Sequence, residues 1–165
     1  MTASFPWHDH HFINRNPALD FANMVVWRGK AGEEDRGRSP ENLRGWAACS
    51  GLAPPVADVE RCVKVREAID RYFRAGEDWP LLVSLYAEVL AAGDDPFLTA
   101  ILHAALALAF SPDRARVRVC GNCGWLFFDQ TRNANKRWCG STCSSRTKAR
   151  RHYARTRRRA AVYGS

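Results

Sequence analysis

Apolar positions recur at helical spacing along most of the first two thirds of the chain. Asn16-Pro17 supplies a helix cap and a first-turn proline, and Leu19, Ala22, Val25 and Val26 then fall on one stripe. Ser39-Pro40-Glu41 starts a second helix, with Leu43, Trp46 and Ala47 on one face and Gly51 at its end. After the break at Pro54-Pro55, Asp58 caps a third helix whose stripe is Cys62, Val65, Ile69, Tyr72 and Phe73, closed by Gly76. Asp78 caps a fourth, in which Leu82, Leu85, Tyr86, Val89 and Leu90 recur up to Gly93. Asp95-Pro96 opens a fifth, Phe97 to Phe110, apolar nearly all round and therefore expected at the centre of the body. The three glycines and mixed charges between Arg28 and Arg38 predict a loop.

The period changes after Ser111-Pro112. Arg114, Arg116 and Arg118 alternate with Ala115, Val117 and Val119, the pattern of a strand with one basic and one apolar face. The chain therefore divides into a helical domain, residues 1–113, and an appendage, residues 114–165.

Cysteine carries the chemistry of the appendage. Cys120-Gly-Asn-Cys123 and Cys139-Gly-Ser-Thr-Cys143 are separated by fifteen residues. A two-residue gap lets one turn present both sulfurs of the first pair, and Gly121 and Gly124 relieve the backbone there. The i, i+4 gap of the second pair suits the first turn of a helix, whose dipole favours thiolates. Four thiolates are the preferred tetrahedral set of structural Zn2+, and they leave no open position for catalysis. A redox dithiol lacks a thioredoxin-like context here; an iron–sulfur cluster is the other alternative. Trp125 to Asp129 reads as one strand, Arg132 to Asn135 as a turn, Lys136 to Trp138 as a returning strand. Knuckle, β-hairpin and basic helix are the layout of a small treble-clef-like zinc finger behind a mainly α domain. Cys49 and Cys62 read as small hydrophobes in helices.

Charge sharpens the division. Residues 1–113 hold 11 basic and 16 acidic side chains, net −5, whereas residues 114–165 hold 14 basic side chains and the single acid Asp129, net +13. Ser144 to Arg159 contains Arg146, Lys148, Arg150, Arg151, Arg155, Arg157, Arg158 and Arg159 with no acid, proline or glycine. Such a helix repels itself unless phosphates relieve it. These residues and Arg137 are the candidate nucleic-acid contacts, with Tyr153 expected to pack on the finger. An acidic protein, or the acidic body of a second copy, is the alternative partner.

These residues resemble a known family. Cys123-Gly-Trp125, Leu126-Phe-Phe-Asp129, Arg137-Trp-Cys139 and Arg146-Thr-Lys-Ala-Arg-Arg-His-Tyr153 are similar to the CGNR-type zinc finger. Leu19-Asp-Phe-Ala-Asn23 resembles the signature of the helical domain that precedes this finger in bacterial stress-induced transcription regulators. The resemblance implies a zinc-binding finger on Cys120, Cys123, Cys139 and Cys143 and a DNA-binding regulatory role. The eponymous Cys-Gly-Asn-Arg stands here as Cys143-Ser-Ser-Arg146, and both cysteine pairs are more closely spaced than the usual pattern.

Asp20 and Asn23 lie three apart in the first helix; they suit either a small-molecule pocket or a buried hydrogen-bond network. Arg66-Glu67 reads as a salt-bridged face. His8, His10 and His11 are a weak metal candidate in a loose arm. Residues 1–113 contain no nucleophile elbow, phosphate loop or His/carboxylate pair at metal spacing, so the chain is expected not to be an enzyme. The leading expectation is a zinc-dependent DNA-binding regulator, with a small-molecule effector on the body and a homodimer as possible partners. An RNA- or protein-binding adaptor is the second, and an enzyme in the body the third. No apolar run reaches the roughly 18 residues of a membrane span, and no signal peptide is evident, so the expected location is the cytoplasm.

Overall fold

A computed structural model describes residues 5–163, with side chains to residue 158. In chain order the elements are α1 (Pro17–Ala22), β1 (Val25–Val26), β2 (Glu34–Asp35), α2 (Pro40–Cys49), α3 (Val59–Ala75), α4 (Trp79–Ala92), α5 (Pro96–Phe110), β3 (Val117–Val119), β4 (Leu126–Phe128) and α6 (Ser141–Tyr163). Short 3-10 turns occupy Asp9–His11, Arg36–Arg38 and Pro112–Arg116.

The caps act largely as the sequence predicts. Asn16 accepts from the Ala18 and Leu19 amides, Ser39 from Asn42, and Asp58 from Arg61. Asp95 accepts from Leu98 with one oxygen and from Val56 and Ala57 with the other, tying the Pro54–Ala57 loop to α5. Asp78 departs from the pattern: it sits at φ +61°, its side chain caps nothing, and its carboxylate pairs with Arg71 instead.

Three other expectations are corrected. The first helix stops at Ala22, and the β-branched Val25 and Val26 pair antiparallel with Asp35 and Glu34, so the expected loop contains a strand. α5 is not enclosed. Phe97, Leu98, Ile101, Leu102 and Ala105 are buried against α1, α3 and α4, but Phe110, on the opposite face, is 78% exposed, with the Trp79 ring against its edge. Cys62 is buried as expected, whereas Cys49, in the last turn of α2, is exposed. At the centre, Phe21, Trp46 and Phe97 meet ring to ring, with centroids 5.4–6.0 Å apart.

The finger's hairpin also differs from its expected form. β3 pairs antiparallel with β4 across the knuckle, Val119 opposite Leu126 and Val117 opposite Phe128. Lys136–Trp138 forms no strand. β4 has no edge left for it, because side chains of the helical body occupy the edge opposite β3. Leu126, fully buried, belongs to the same hydrophobic core as α1 and α5. The structure thus joins what the charge pattern divides.

Candidate metal centre and nucleic-acid interface

The four cysteines converge. The Sγ atoms of Cys120, Cys123, Cys139 and Cys143 all lie within 4.8 Å of one another. Cys139 is 3.7 Å from both Cys123 and Cys143. A tetrahedron with Zn–S bonds of about 2.3 Å has edges of roughly 3.8 Å, so the donor set fits Zn2+. The knuckle is closed by Gly124 N–H donating to Cys120 O at 2.9 Å, with Gly124 at φ +80°. Cys139 precedes α6 and Cys143 lies in its first turn.

The electrostatics ask for a cation. Hydrogen bonding from Cys123 and Cys139 depresses the Cys120 thiol strongly, while the Cys120 sulfur and burial push Cys123 up to about 12 and raise Cys139 further. Four thiolates this close repel one another, and a divalent cation at their centre offsets that repulsion. Asn122, 1% exposed, donates from Nδ2 to Cys143 Sγ at 3.3 Å and so supports a thiolate there. When bound, Zn2+ supplies a closed structural cross-link and no reactive position.

The body grips this centre at several points. Lys30 Nζ donates to the carbonyls of Gly121 (3.1 Å) and Asn122 (2.6 Å). Arg74 Nη2 donates to Gly124 O at 2.8 Å, and Trp125 Nε1 donates to Val25 O at 3.2 Å. Arg74 is the end of an ion-pair chain: Asp35 holds the buried Arg66, Arg66 and Arg28 share Glu67, and Arg28 and Arg74 share Asp70. The expected Arg66-Glu67 face is thus the middle of a network reaching the knuckle.

Asp20 and Asn23 join that docking surface. Both are 4% exposed. Asn23 holds both backbone groups of Leu126. Asn14, orientated by Asp20 at 2.8 Å, accepts from Phe128 N–H and donates to Leu126 O. Neither Asp20 nor Asn23 lines a described pocket. Burial pushes the Asp20 carboxyl up to about 7 despite the bonds from Asn14.

α6 carries the charge. At 100° per residue, Lys148, Arg151, Arg155 and Arg158 fall on one face, and they line a shallow strip with Ala154. Cys143 lies about 100° round the helix from the centre of this stripe. Arg146, Arg150 and Arg157 fall on the other side, and the Arg146 guanidinium lies 5.8 Å from the Trp27 ring. Arg137 sits on Trp138 in the loop before α6. Tyr153 is 68% exposed and does not pack on the finger. The side chain of Arg159 lies outside the described residues.

The arm is not loose from Phe5 onward: the Phe5 amide and Trp7 Nε1 donate to Asn42, and His11 is buried. Burial, with His10 adding to it, lowers His11 to about 4. His8, His10 and His11 do not present three ligand atoms to a common point.

With this geometry, sequence comparison is decisive. The model described as "Putative stress-induced transcription regulator" (ABATE) matches residues 15–120, and that of the CGNR zinc finger matches residues 116–156. The chain belongs to the ABATE family. Its C-terminal part is a CGNR zinc finger, and the four cysteines are that finger's metal site. A search of curated proteins found no match. No helix among the described residues is long and apolar enough to cross a membrane.

Several functional residues escape sequence reasoning. Lys30 lies in a glycine-rich loop and Arg74 in a helix end, where basic residues are ordinary. Asn14 carries no motif. Asn122 was passed over too, although its place between two metal ligands is a signal for a donor to sulfur.

Proposed function

We propose that this ABATE-family chain is a cytoplasmic, zinc-dependent DNA-binding transcription regulator that works by binding rather than by catalysis. The observation that carries this reading is the stripe Lys148, Arg151, Arg155 and Arg158. It is exposed and has no ion-pair partner among the described residues. A row of unpaired cationic side chains suits the phosphates of a nucleic-acid backbone. Zinc and the docking bonds fix the root of α6, and the helix then projects its charge outward. Arg137, Arg150 and Arg157 would meet phosphates on the flanks. The body would supply the regulatory input.

The test is duplex binding against salt. Each phosphate contact contributes about 0.9 to the slope of log K against log salt, so Lys148→Ala/Arg151→Ala/Arg155→Ala should flatten the slope by about three. A slope unchanged by the triple substitution defeats the reading. Structured RNA that outcompetes duplex DNA at equal salt would move the target to RNA.

A further inference from the structure

Beside the metal centre lies a cleft of 560 Å3, within the roughly 300–1,000 Å3 usual for small-molecule sites. Its two walls come from different parts of the fold, and the N-terminal arm adds His8, His10 and His11 to the lining. Trp27 and Arg36 belong to the body; Trp125, Thr142 and Arg146 belong to the finger. The sulfurs of Cys123, Cys139 and Cys143 lie at its floor, and no lining residue is acidic.

We propose that this cleft binds a small planar aromatic carboxylate, and that its occupation adjusts nucleic-acid binding by α6. The second half rests on the function proposed above. The flat apolar surface comes from the indoles of Trp27 and Trp125. Trp27 is held at φ +56°, an unusual conformation for a bulky residue, and this turns its ring beside Arg146. The charge comes from both walls. Arg36 Nε is buried with no hydrogen-bond partner, although the same guanidinium touches His11, pairs with Glu34 and stacks over the Phe5 ring at 4.0 Å. Arg146 has no carboxylate partner among the described residues. The first-turn amides of α6, at Gly140–Thr142, add an electropositive rim.

The floor sorts the two ends of such a ligand. Four thiolates on a divalent cation carry a net charge of −2, which repels a carboxylate from the sulfurs and directs it to the arginines. The ring is left for the indoles. A ligand held by Arg36 on one side and Arg146 on the other spans body and helix, so it changes how the root of α6 is held. Arg146, placed by sequence among the nucleic-acid contacts, is thereby assigned to the cleft.

The test uses the full zinc-loaded chain with 1-naphthoate as probe and 1-naphthamide as its uncharged match, by equilibrium dialysis. Naphthoate should bind saturably at one equivalent and naphthamide at least tenfold more weakly. Arg146→Ala, an exposed position that leaves the core untouched, should weaken naphthoate at least fivefold. Lys148→Ala/Arg151→Ala/Arg155→Ala should leave it unchanged. Saturating naphthoate should shift duplex affinity at least threefold, and not in Arg146→Ala. No saturable binding at millimolar naphthoate overturns the inference, as does binding lost with the stripe but kept in Arg146→Ala. Duplex affinity unmoved by bound naphthoate overturns the effector half. If naphthoate binds through Arg146 while duplex binding is absent altogether, the cleft stands and the regulator reading falls.

Discussion

Asn23 meets Leu126 as a neighbouring strand would. Its Oδ1 accepts from the Leu126 amide at 2.8 Å and its Nδ2 donates to the Leu126 carbonyl at 2.9 Å. With Asn14 on Phe128, the two amides satisfy the edge of β4 that β3 does not reach. Asn23→Ala leaves the Leu126 N–H buried without a partner, and Asn14 alone still serves the carbonyl. At about 1–3 kcal/mol for a buried group left wanting, the cost should be about 1–3 kcal/mol in urea unfolding of the zinc-loaded protein. A change below about 0.5 kcal/mol would mean that water replaces the amide.

Metal removal should reach beyond the finger. Metal binding stabilises small zinc domains by on the order of 10 kcal/mol. Here Lys30, Arg74 and Trp125 connect the knuckle to the body. Cys143→Ser, or a strong chelator, should therefore lower the melting temperature of the helical body as well. Circular dichroism beside metal analysis checks this. A body transition that stays in place after zinc is lost would show the two parts to be independent.

Asp20 sets a pH dependence. Its carboxyl is raised from 3.8 to about 7 in the folded chain, chiefly by burial. Between those values the folded state binds a proton that the unfolded state does not, so this residue's contribution falls as pH rises through that window and is level above it. A shift of three pH units corresponds to at most about 4 kcal/mol. Asp20→Asn keeps an oxygen for Asn14 and removes the titration. Stability of the variant measured from pH 5 to 8 should decline less steeply than that of the parent; parallel profiles would disprove this assignment.

Gly124 leaves little room for a side chain. It sits at φ +80°, and an added Cβ would lie 3.1 Å from Arg28 O, a backbone atom that cannot step aside alone. Gly124→Ala should shift the knuckle off the body and weaken zinc retention about tenfold in chelator competition. Retention equal to the parent's would show that the loop around Arg28 yields.

The helices, most of their caps and the metal ligands were legible because each rests on local rules: apolar spacing, Asn or Asp before Pro, paired cysteines. Asn23 was visible as part of a short motif, but its purpose was not. Its partner Leu126 is 103 residues away, and nothing local says that an amide will stand in for a strand. The true hairpin was hidden for another reason: β3 is as near to β4 in sequence as Lys136–Trp138 is, and only the body's hold on the second edge decides between them. Trp125–Asp129 and Lys136–Trp138 look like mates by proximity, yet β4 spends its edges on β3 and on the body. Charge pattern is silent on the joint for a related reason. It reports which solvent or partner a surface faces, and the joint between body and finger is made by neutral amides, one buried leucine, and the carbonyls under Lys30 and Arg74.

The contact between Asn23 and Leu126 also orders events during synthesis. Leu126 is made about a hundred residues after Asn23, and it fills a place in the core beside α1 and α5. Until it emerges, the nascent body keeps a hole in its core and two amides without their strand. Completion of the body therefore waits for the finger's strand, so a ribosome that stalls before β4 leaves an unfinished body for chaperones and proteases to find.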